Sequence, residues 1–84
     1  MIIDSKLCDA IRSTLWECDG RPLLESALLV YVRPLVTTPV VASDLRSHLL
    51  HLENAGELDR NANRDDKTIL SWSLTDAGRQ RAKG

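Results

Sequence analysis

The sequence predicts a mostly α-helical α+β fold, with three helices, a small two-stranded β-hairpin and a short C-terminal helix. Apolar residues recur at helical spacing through the first part of the chain, from Leu7 to Leu52, which is typical of amphipathic helices. Gly56 then stands where a helix would end. Beyond it, apolar and polar residues alternate between Thr68 and Leu74, which is the periodicity of a half-buried strand.

The first predicted helix begins after Asp4 or Ser5, since either side chain can accept a hydrogen bond from the free backbone N–H groups of a first turn. Its apolar stripe consists of Leu7, Cys8, Ile11, Leu15 and Cys18. Gly20 is a natural end for this helix. Trp16 lies roughly opposite the stripe, so we expect it either to cover a neighbouring element or to mark an interaction surface.

Pro22 is well placed as the first residue of a second helix, because its missing N–H group is not needed there. Residues 23–32 are apolar nearly all round, and a narrow polar edge is made of Glu25, Ser26 and Arg33. A helix of this kind is either the central helix of a domain or buried against a second subunit. Pro34 ends it.

A third helix is predicted over residues 40–55, after a connection at residues 35–38 that could be briefly extended. Thr38 would cap this helix and Pro39 would occupy its first position. Its inward face consists of Val41, Leu45, Leu49 and Leu52, with Ala42 and His48 at the edges. Its outward face consists of Ser43, Ser47, His51 and Asn54, with Arg46 and Leu50 to one side.

The β-hairpin follows directly. We expect Leu58 to point into the core while Glu57 and Asp59 point to solvent. A polar tip at residues 61–67 is long enough to project from the body of the fold. The second strand alternates Thr68, Leu70, Trp72 and Leu74 with Ile69, Ser71 and Ser73. This pattern predicts one buried and one exposed face.

The C-terminal residues predict a short last helix. Thr75 can cap it, and it would run over residues 76–83. Gly78 lies within its first turns and would let the helix pack closely on its neighbour.

The chain has 84 residues and no internal repeat, low-complexity tract or linker, so we expect a single domain over residues 1–84. A chain of this length buries only about 60% of its unfolded surface, so dimerisation would be unsurprising. Its first residues lack the basic segment of a signal peptide. The most apolar run, residues 23–36, is too short to span a bilayer. We expect a soluble, cytoplasmic protein without a membrane partner.

Cys8 and Cys18 are the two cysteines of the chain. On one helix their separation along the axis would be on the order of 15 Å, which is too far for a disulfide. We expect buried thiols in a reducing compartment rather than redox or metal-binding groups.

Eleven basic and twelve acidic residues give the chain a formal net charge of −1. A dedicated nucleic-acid binder usually carries a basic surplus, and this chain does not. Basic groups outnumber acidic groups by six to five in residues 57–84, and are outnumbered by seven to five in residues 1–56. A weak positive field therefore lies toward the hairpin and the C-terminal helix.

Two linked motifs carry a family resemblance. The first is His48-Leu49-x-x-Leu52-Glu53-x-x-Gly56-x-Leu58, and the second is Leu74-Thr75-x-x-Gly78-Arg79. Over about residues 40–81 the chain resembles the winged helix-turn-helix superfamily of bacterial and phage DNA-binding regulators. The resemblance implies a winged-helix fold of prokaryotic or phage origin. The third helix would then be the recognition helix and the hairpin the wing.

The resemblance also implies contact with double-stranded DNA through the helix at residues 40–55 and the wing at residues 60–67. On the helix, we expect base-edge contacts from Ser43, Arg46, Ser47 and His51, with Arg46 able to make a bidentate contact to guanine. We expect phosphate contacts from Thr37, Thr38, Arg60, Asn61, Asn63, Arg64 and Lys67. The protein would be a small transcriptional regulator.

A protein-interaction module is the alternative function, because winged helices also serve as subunit contacts in larger complexes. In that role Val40, Leu50 and Trp16 would be apolar groups at the surface. Clustering of the basic residues on one face would favour DNA. Interleaving with Asp44, Asp59, Asp65 and Asp66 would favour a protein partner.

A homodimer is expected through the first two helices, where the interface residues would be Trp16, Leu24, Leu28 and Tyr31. We expect no enzymatic activity, since the sequence has no nucleophile elbow, phosphate loop or paired-carboxylate motif. His48 and His51 have a spacing that can bind metal. No third ligand is near them in the sequence, so we expect neither a metal site nor a cofactor.

Overall fold

The helices and strands follow one another in the predicted order, with one additional strand. The computed structural model describes residues 2–83. Its elements are α1 (Ser5–Glu17), β1 (Leu23–Leu24), α2 (Glu25–Val32), a short 3₁₀ helix (Arg33–Leu35), α3 (Ala42–Asn54), β2 (Leu58–Ala62), β3 (Leu70–Leu74) and α4 (Asp76–Lys83). The predicted α+β class is confirmed. Within the described residues, no helix is both long and apolar enough to cross a lipid bilayer.

The sheet has three antiparallel strands in the order β1-β3-β2, whereas the sequence predicts a two-stranded hairpin. The additional strand pairs Leu23 with Trp72 and Leu24 with Ser71. The prediction that the second helix starts at Pro22 is wrong for the same reason. The backbone of both leucines pairs with β3, so α2 begins at Glu25.

α1 begins as predicted. Asp4 lies at its N-cap, and its carboxylate accepts a hydrogen bond from the backbone N–H of Lys6 at 2.9 Å. Its buried side consists of Leu7, Cys8, Ala10, Ile11 and Leu15. The helix ends at Glu17, before Gly20, whose φ of 83° suits the turn into β1. Both cysteines are free; Cys8 is buried, whereas Cys18 is only half-buried.

α3 begins later than predicted, at Ala42 instead of Val40. Its N-cap is Val41, which makes no side-chain capping bond, and Thr38 is exposed outside the helix. Because the backbone at Val41 is extended, successive side chains point to opposite sides. Val40 is therefore buried and Val41 exposed. The sequence prediction placed these two valines the other way round and is wrong.

The core lies between α1, α2, α3 and the sheet. Its largest fully buried side chains are Trp72, Ile11, Leu15, Leu28, Leu45, Leu49, Leu52 and Val32. Each contributes about 1.5–3 kcal/mol through removal of apolar surface from water. Trp72 and Leu74 are buried while Ser71 and Ser73 are half-buried, so the alternation predicted for β3 is confirmed from Ser71 to Leu74. Thr68 and Ile69 lie before the strand and are both exposed, so the buried position predicted for Thr68 is wrong.

The turn between α3 and β2 buries a charged residue. Glu57 is buried, and its Oε1 accepts a hydrogen bond from Nε of Arg12 at 2.6 Å. The carbonyl oxygen of Glu57 accepts the N–H of Thr75 and lies so close to Gly78 that a Cβ there would overlap it. The predicted close packing at Gly78 is confirmed. The prediction that Glu57 faces solvent is wrong, because α1 supplies a guanidinium partner.

Candidate nucleic-acid interface

The outward side of α3 carries short polar side chains. Ser43, Ser47 and His51 recur every four residues, so they lie along one side of the helix, and Asn54 follows near its end. Ser43, His51 and Asn54 are exposed and Ser47 is half-buried. The hydroxyl of Ser47 donates to the carbonyl oxygen of Ser43 at 3.0 Å, so its oxygen stays free to accept. This side offers hydroxyl, imidazole and carboxamide groups that can donate or accept hydrogen bonds.

His48 belongs to the core of the fold. Its Nε2 accepts a hydrogen bond from the backbone N–H of Asp4 at 2.9 Å, and its Nδ1 lies 2.7 Å from the carbonyl oxygen of Asp44. A ring that accepts at Nε2 and donates at Nδ1 is neutral. Across residues 2–83, no group of three His, Cys, Asp or Glu side chains is placed to hold a metal ion.

Arg46 is engaged within the chain. Its Nε lies 2.8 and 2.9 Å from the two carboxylate oxygens of Glu25, and its Nη2 lies 2.7 Å from Oε2. The hydrogen bond to Glu25 is the main reason that the pKa of Arg46 is raised. The sequence prediction assumes that the Arg46 guanidinium is free to contact a guanine. In the structure, its Nε and Nη2 atoms are hydrogen-bonded to the carboxylate of Glu25 instead.

Side chains within the hairpin tip hold its shape. The carboxamide oxygen of Asn63 accepts the backbone N–H groups of Asp65 and Asp66 at 2.8 and 3.2 Å. Oδ1 of Asp66 accepts the hydroxyl of Thr68 at 2.6 Å and its N–H at 2.9 Å. These two bonds from Thr68 lower the pKa of Asp66. Asn63 therefore organises the turn, whereas Asn61 is exposed on β2.

The basic residues of the hairpin fall into two groups. Arg60 lies 3.3 Å from the carboxylate of Glu53 on α3. Arg64 and Lys67 are exposed at the tip, and neither forms an ion pair with any of the described residues. Two unpaired cations therefore stand at the projecting end of the hairpin.

Acidic side chains interleave with these basic ones. Asp44 on α3 and Asp59 on β2 are exposed, and Asp65 and Asp66 share the hairpin tip with Arg64. Such a surface has alternating charge rather than a continuous positive field.

Thr37 and Thr38 lie exposed in the connection that leads to α3. Arg33 lines the same shallow depression, and its Nε donates to the carbonyl oxygen of Val40 at 3.2 Å. A guanidinium thus stands beside the two threonines. The sequence prediction did not include Arg33, because its position next to Pro34 indicated only the end of a helix.

The residues predicted for a dimer interface divide between surface and core. Trp16, Leu24 and Tyr31 are exposed. Leu28 has 0% exposure, so its assignment to the interface is wrong: α2 turns this side chain toward α1 and the sheet. The exposed apolar residues around α2 are instead Leu24, Val30 at 64%, Tyr31 at 57% and Leu35.

Trp16 contacts a neighbouring element, which is one of the two roles predicted for it. The guanidinium of Arg79 on α4 lies 5.5 Å from the centroid of the Trp16 ring, which is within the range of a cation–π contact. The ring is still partly exposed. It therefore covers α4 and leaves apolar surface on α1.

Glu25 is the main residue that sequence reasoning did not select. Its carboxylate accepts hydrogen bonds from Arg46 and, at 2.9 Å, from Nε1 of Trp72. The sequence does contain one indication of this role: Glu25 is the single carboxylate in a segment that is otherwise apolar nearly all round. A buried carboxylate is costly unless it has a partner.

No protein-family model matches the chain, and no curated protein matches it. Solved structures do match its fold. The YusO protein from Bacillus subtilis superposes with a TM-score of 0.76 at 19% identity, over 92% of this chain and 49% of that one. A probable transcriptional regulator from Pseudomonas aeruginosa gives 0.73 at 25% identity, over 92% and 52%.

A third structure is similar over nearly all of this chain. It is ZitR from Lactococcus lactis, a zinc-responsive MarR family member, with a TM-score of 0.75 at 13% identity over 98% of this chain and 51% of that one. The chain spans about half the length of these proteins. The likeness confirms the winged-helix fold that the two sequence motifs imply.

Proposed function

We propose that this chain is a winged-helix protein that binds double-stranded DNA and regulates transcription. The observation that carries the proposal is the hairpin tip, where Arg64 and Lys67 are exposed and form no ion pair with any of residues 2–83. Among proteins of similar fold, one is a probable transcriptional regulator and another is a MarR family member. The proposal includes no enzymatic activity and no cofactor.

Phosphate binding and base reading are assigned to different elements. Arg64 and Lys67 would bind phosphates, which supply much of the affinity and make it dependent on salt. Thr37, Thr38 and Asn61 would donate to the same backbone. Ser43, Ser47 and His51 would face base edges in the major groove, where a hydroxyl can pair with several bases. We therefore expect modest sequence selectivity from one chain.

A fluorescence-anisotropy titration tests the proposal. A labelled mixed-sequence duplex would be titrated at low salt and again near physiological salt. Each neutralised phosphate adds about −0.9 to the slope of log K against log salt, so the two free cations predict a slope near −2 for each bound chain. Absence of binding at low salt with about 100 μM protein would overturn the proposal, since non-specific affinity should be visible there.

Removing the tip cations should weaken binding to all duplexes alike. Arg64→Ala or Lys67→Ala should each reduce the salt slope by about 1. Lys6→Ala is the matched control, because it removes the same charge from α1 instead of the hairpin. An equal loss in the control would show that net charge matters and the hairpin does not. A loss confined to one sequence would contradict the phosphate role of Arg64.

A protein-interaction module is the second candidate function, favoured by the interleaved charges around the hairpin. Exposed apolar side chains at Trp16, Val41 and Leu50 would supply contact area. The same titration separates the two functions: a module of this kind would not bind the duplex even at low salt.

We also propose that the protein acts as a cytoplasmic homodimer. The exposed apolar residues of α2 and the 3₁₀ helix would supply the contact, with Tyr31 near its centre. Two hairpins on one duplex would double the expected salt slope to about −4.

A further inference from the structure

Glu25 joins three elements of the fold through one carboxylate. It is the first residue of α2. Its Oε1 accepts from Nε1 of Trp72 on β3 at 2.9 Å, and its two oxygens receive Nε and Nη2 of Arg46 on α3. The carboxylate is largely enclosed, because the Glu25 side chain is 17% exposed while that of Arg46 is 43% exposed.

Arg46 is the sole arginine or lysine of α3. It stands one helical position from Ser47 and three from Ser43, close to the side proposed to face DNA. Without a partner it would dominate the electrostatics of that helix, because no other group there carries a permanent positive charge. Its charge is instead matched by Glu25 through short, charge-assisted hydrogen bonds.

We propose that Glu25 sets the charge that α3 presents to DNA. By holding Arg46 in a neutral pair, it confines phosphate binding to the hairpin and leaves α3 without a free cation on the side proposed to read bases. The inference rests on the proposed DNA-binding function and adds to it a positioning residue that touches no DNA.

It is unfavourable for Arg46 to leave Glu25 and bind a DNA phosphate instead. The Glu25 carboxylate would then be enclosed without a cation, and its remaining hydrogen bond would come from Trp72. Uncompensated charge in such a place is costly. Nη1 of Arg46 could reach a phosphate while Arg46 stays paired with Glu25. Because that pair has no net charge, it would not neutralise the phosphate or release a counterion from the DNA. The salt slope therefore distinguishes a free Arg46 from a paired one.

The experiment is a set of four proteins in the anisotropy titration: the original chain, E25Q, R46M and E25Q/R46M. The amide oxygen of Gln can still accept from Trp72, so E25Q removes the charge and keeps the shape. We expect E25Q to bind a mixed-sequence duplex about 3- to 10-fold more tightly at low salt, with a salt slope steeper by about 0.9. R46M alone should bind no more tightly than the original chain and should not steepen the salt slope, because it leaves the enclosed Glu25 carboxylate without its cation. The double variant should return to the level of the original chain.

A matched control separates the release of Arg46 from the loss of a negative charge. E17Q removes one acidic group from the exposed end of α1 and frees no arginine. It should leave the salt slope unchanged. If E17Q and E25Q steepen the slope equally, Glu25 acts only through net charge and the inference is wrong.

The outcomes also separate this inference from the proposed function. If the original chain binds and E25Q does not differ from it, the inference alone fails. If E25Q/R46M, which leaves neither charge unpaired, loses tenfold or more, Arg46 contacts DNA in spite of Glu25 and the inference is overturned. If E25Q binds and the original chain does not, the proposed function fails, and the inference that rests on it fails too. If no variant binds, the DNA-binding function fails and the inference with it.

Folding is checked independently. Trp72 is fully buried beside Glu25, so a red shift of tryptophan emission in E25Q would report an opened core. Should E25Q unfold, the double variant E25Q/R46M still decides the question, because it leaves neither a carboxylate nor a guanidinium unpaired, and its DNA affinity is predicted to equal that of the original chain.

Discussion

Two carboxylates hold elements of this fold together that are distant in sequence. Glu57 joins the turn before β2 to Arg12 on α1, and Glu25 joins the start of α2 to Arg46 and Trp72. Removing one partner of a buried pair leaves an uncompensated charge, at a cost of about 3–5 kcal/mol. The full cost applies best to the Arg12–Glu57 pair, in which both side chains are largely buried. The cost is smaller for the Arg46–Glu25 pair, because Arg46 is more exposed.

Gly78→Ala should be strongly destabilising. A Cβ at Gly78 would overlap the carbonyl oxygen of Glu57, so α4 must move away from the turn, at about 1–3 kcal/mol or more. Gly56→Ala is the comparison: its φ is 80° and a Cβ there meets no atom within 4 Å, so only about 1–2 kcal/mol of backbone strain applies. Urea denaturation of both variants measures the difference, and a smaller loss at Gly78 than at Gly56 would contradict the packing argument.

Acidification should loosen the hairpin tip through Asp66. The bonds from Thr68 lower the pKa of Asp66 below its usual value of 3.8. Because the folded pKa is the lower one, the stabilisation is present above about pH 3.8 and is lost as the pH falls through the lowered pKa. The carboxyl resonance of Asp66, followed by NMR, gives the midpoint. Thr68→Val removes one donor and should move that midpoint upward; an unchanged midpoint would rule out the hydroxyl as the cause.

Element boundaries show what local sequence determines. The cap at Asp4 and the alternation in β3 depend on near neighbours, and the sequence predicts both. β1 forms only because it pairs with β3, which lies far along the chain. Local sequence does not show this pairing, so the leucines after Pro22 are predicted to be helical. The same limit applies to the candidate site: the sequence identified Arg46 as exposed and polar, but its partner Glu25 becomes visible only in three dimensions.

The start of α3 gives a direct test at two adjacent residues. Val40 is buried and Val41 exposed, because the backbone is extended before the helix. Val40→Ala should cost about 1–3 kcal/mol through lost burial and a cavity, whereas Val41→Ala should stay within about 0.5 kcal/mol. Thermal or urea unfolding checks this pair. Equal losses would mean that α3 begins earlier than the structure places it.

Four apolar side chains are exposed around α2: Leu24, Val30, Tyr31 and Leu35. Tyr31 and Leu35, together with Leu23, line a shallow groove of about 470 Å³. Exposed apolar side chains around a groove are characteristic of a protein contact. Val30, Tyr31 and Leu35 lie on α2 and the 3₁₀ helix and not on the hairpin. A chain could therefore contact a second chain through these residues while its hairpin contacts DNA.

Val30→Asp and Tyr31→Asp should each convert a dimer to single chains. Both side chains are exposed, so the substitutions should change stability by about 0.5 kcal/mol or less while placing charge in an apolar contact. Sedimentation equilibrium at about 100 μM measures the mass. Leu50→Asp is the control, since Leu50 is an exposed apolar residue of α3 and should leave the dimer intact. A single-chain mass for the unsubstituted protein would refute the dimer.

The strand order β1-β3-β2 makes β1 and β2 the two edge strands of the sheet. β1 has two residues and follows Pro22, which lacks a backbone donor. β2 is the other outer strand, and its exposed residues include Asp59, Arg60 and Asn61. Short, proline-flanked or charged outer strands resist the addition of a strand from another molecule. The two outer strands therefore oppose fibril-like aggregation, which favours a dispersed chain at the protein concentrations that tests of the proposed DNA binding require.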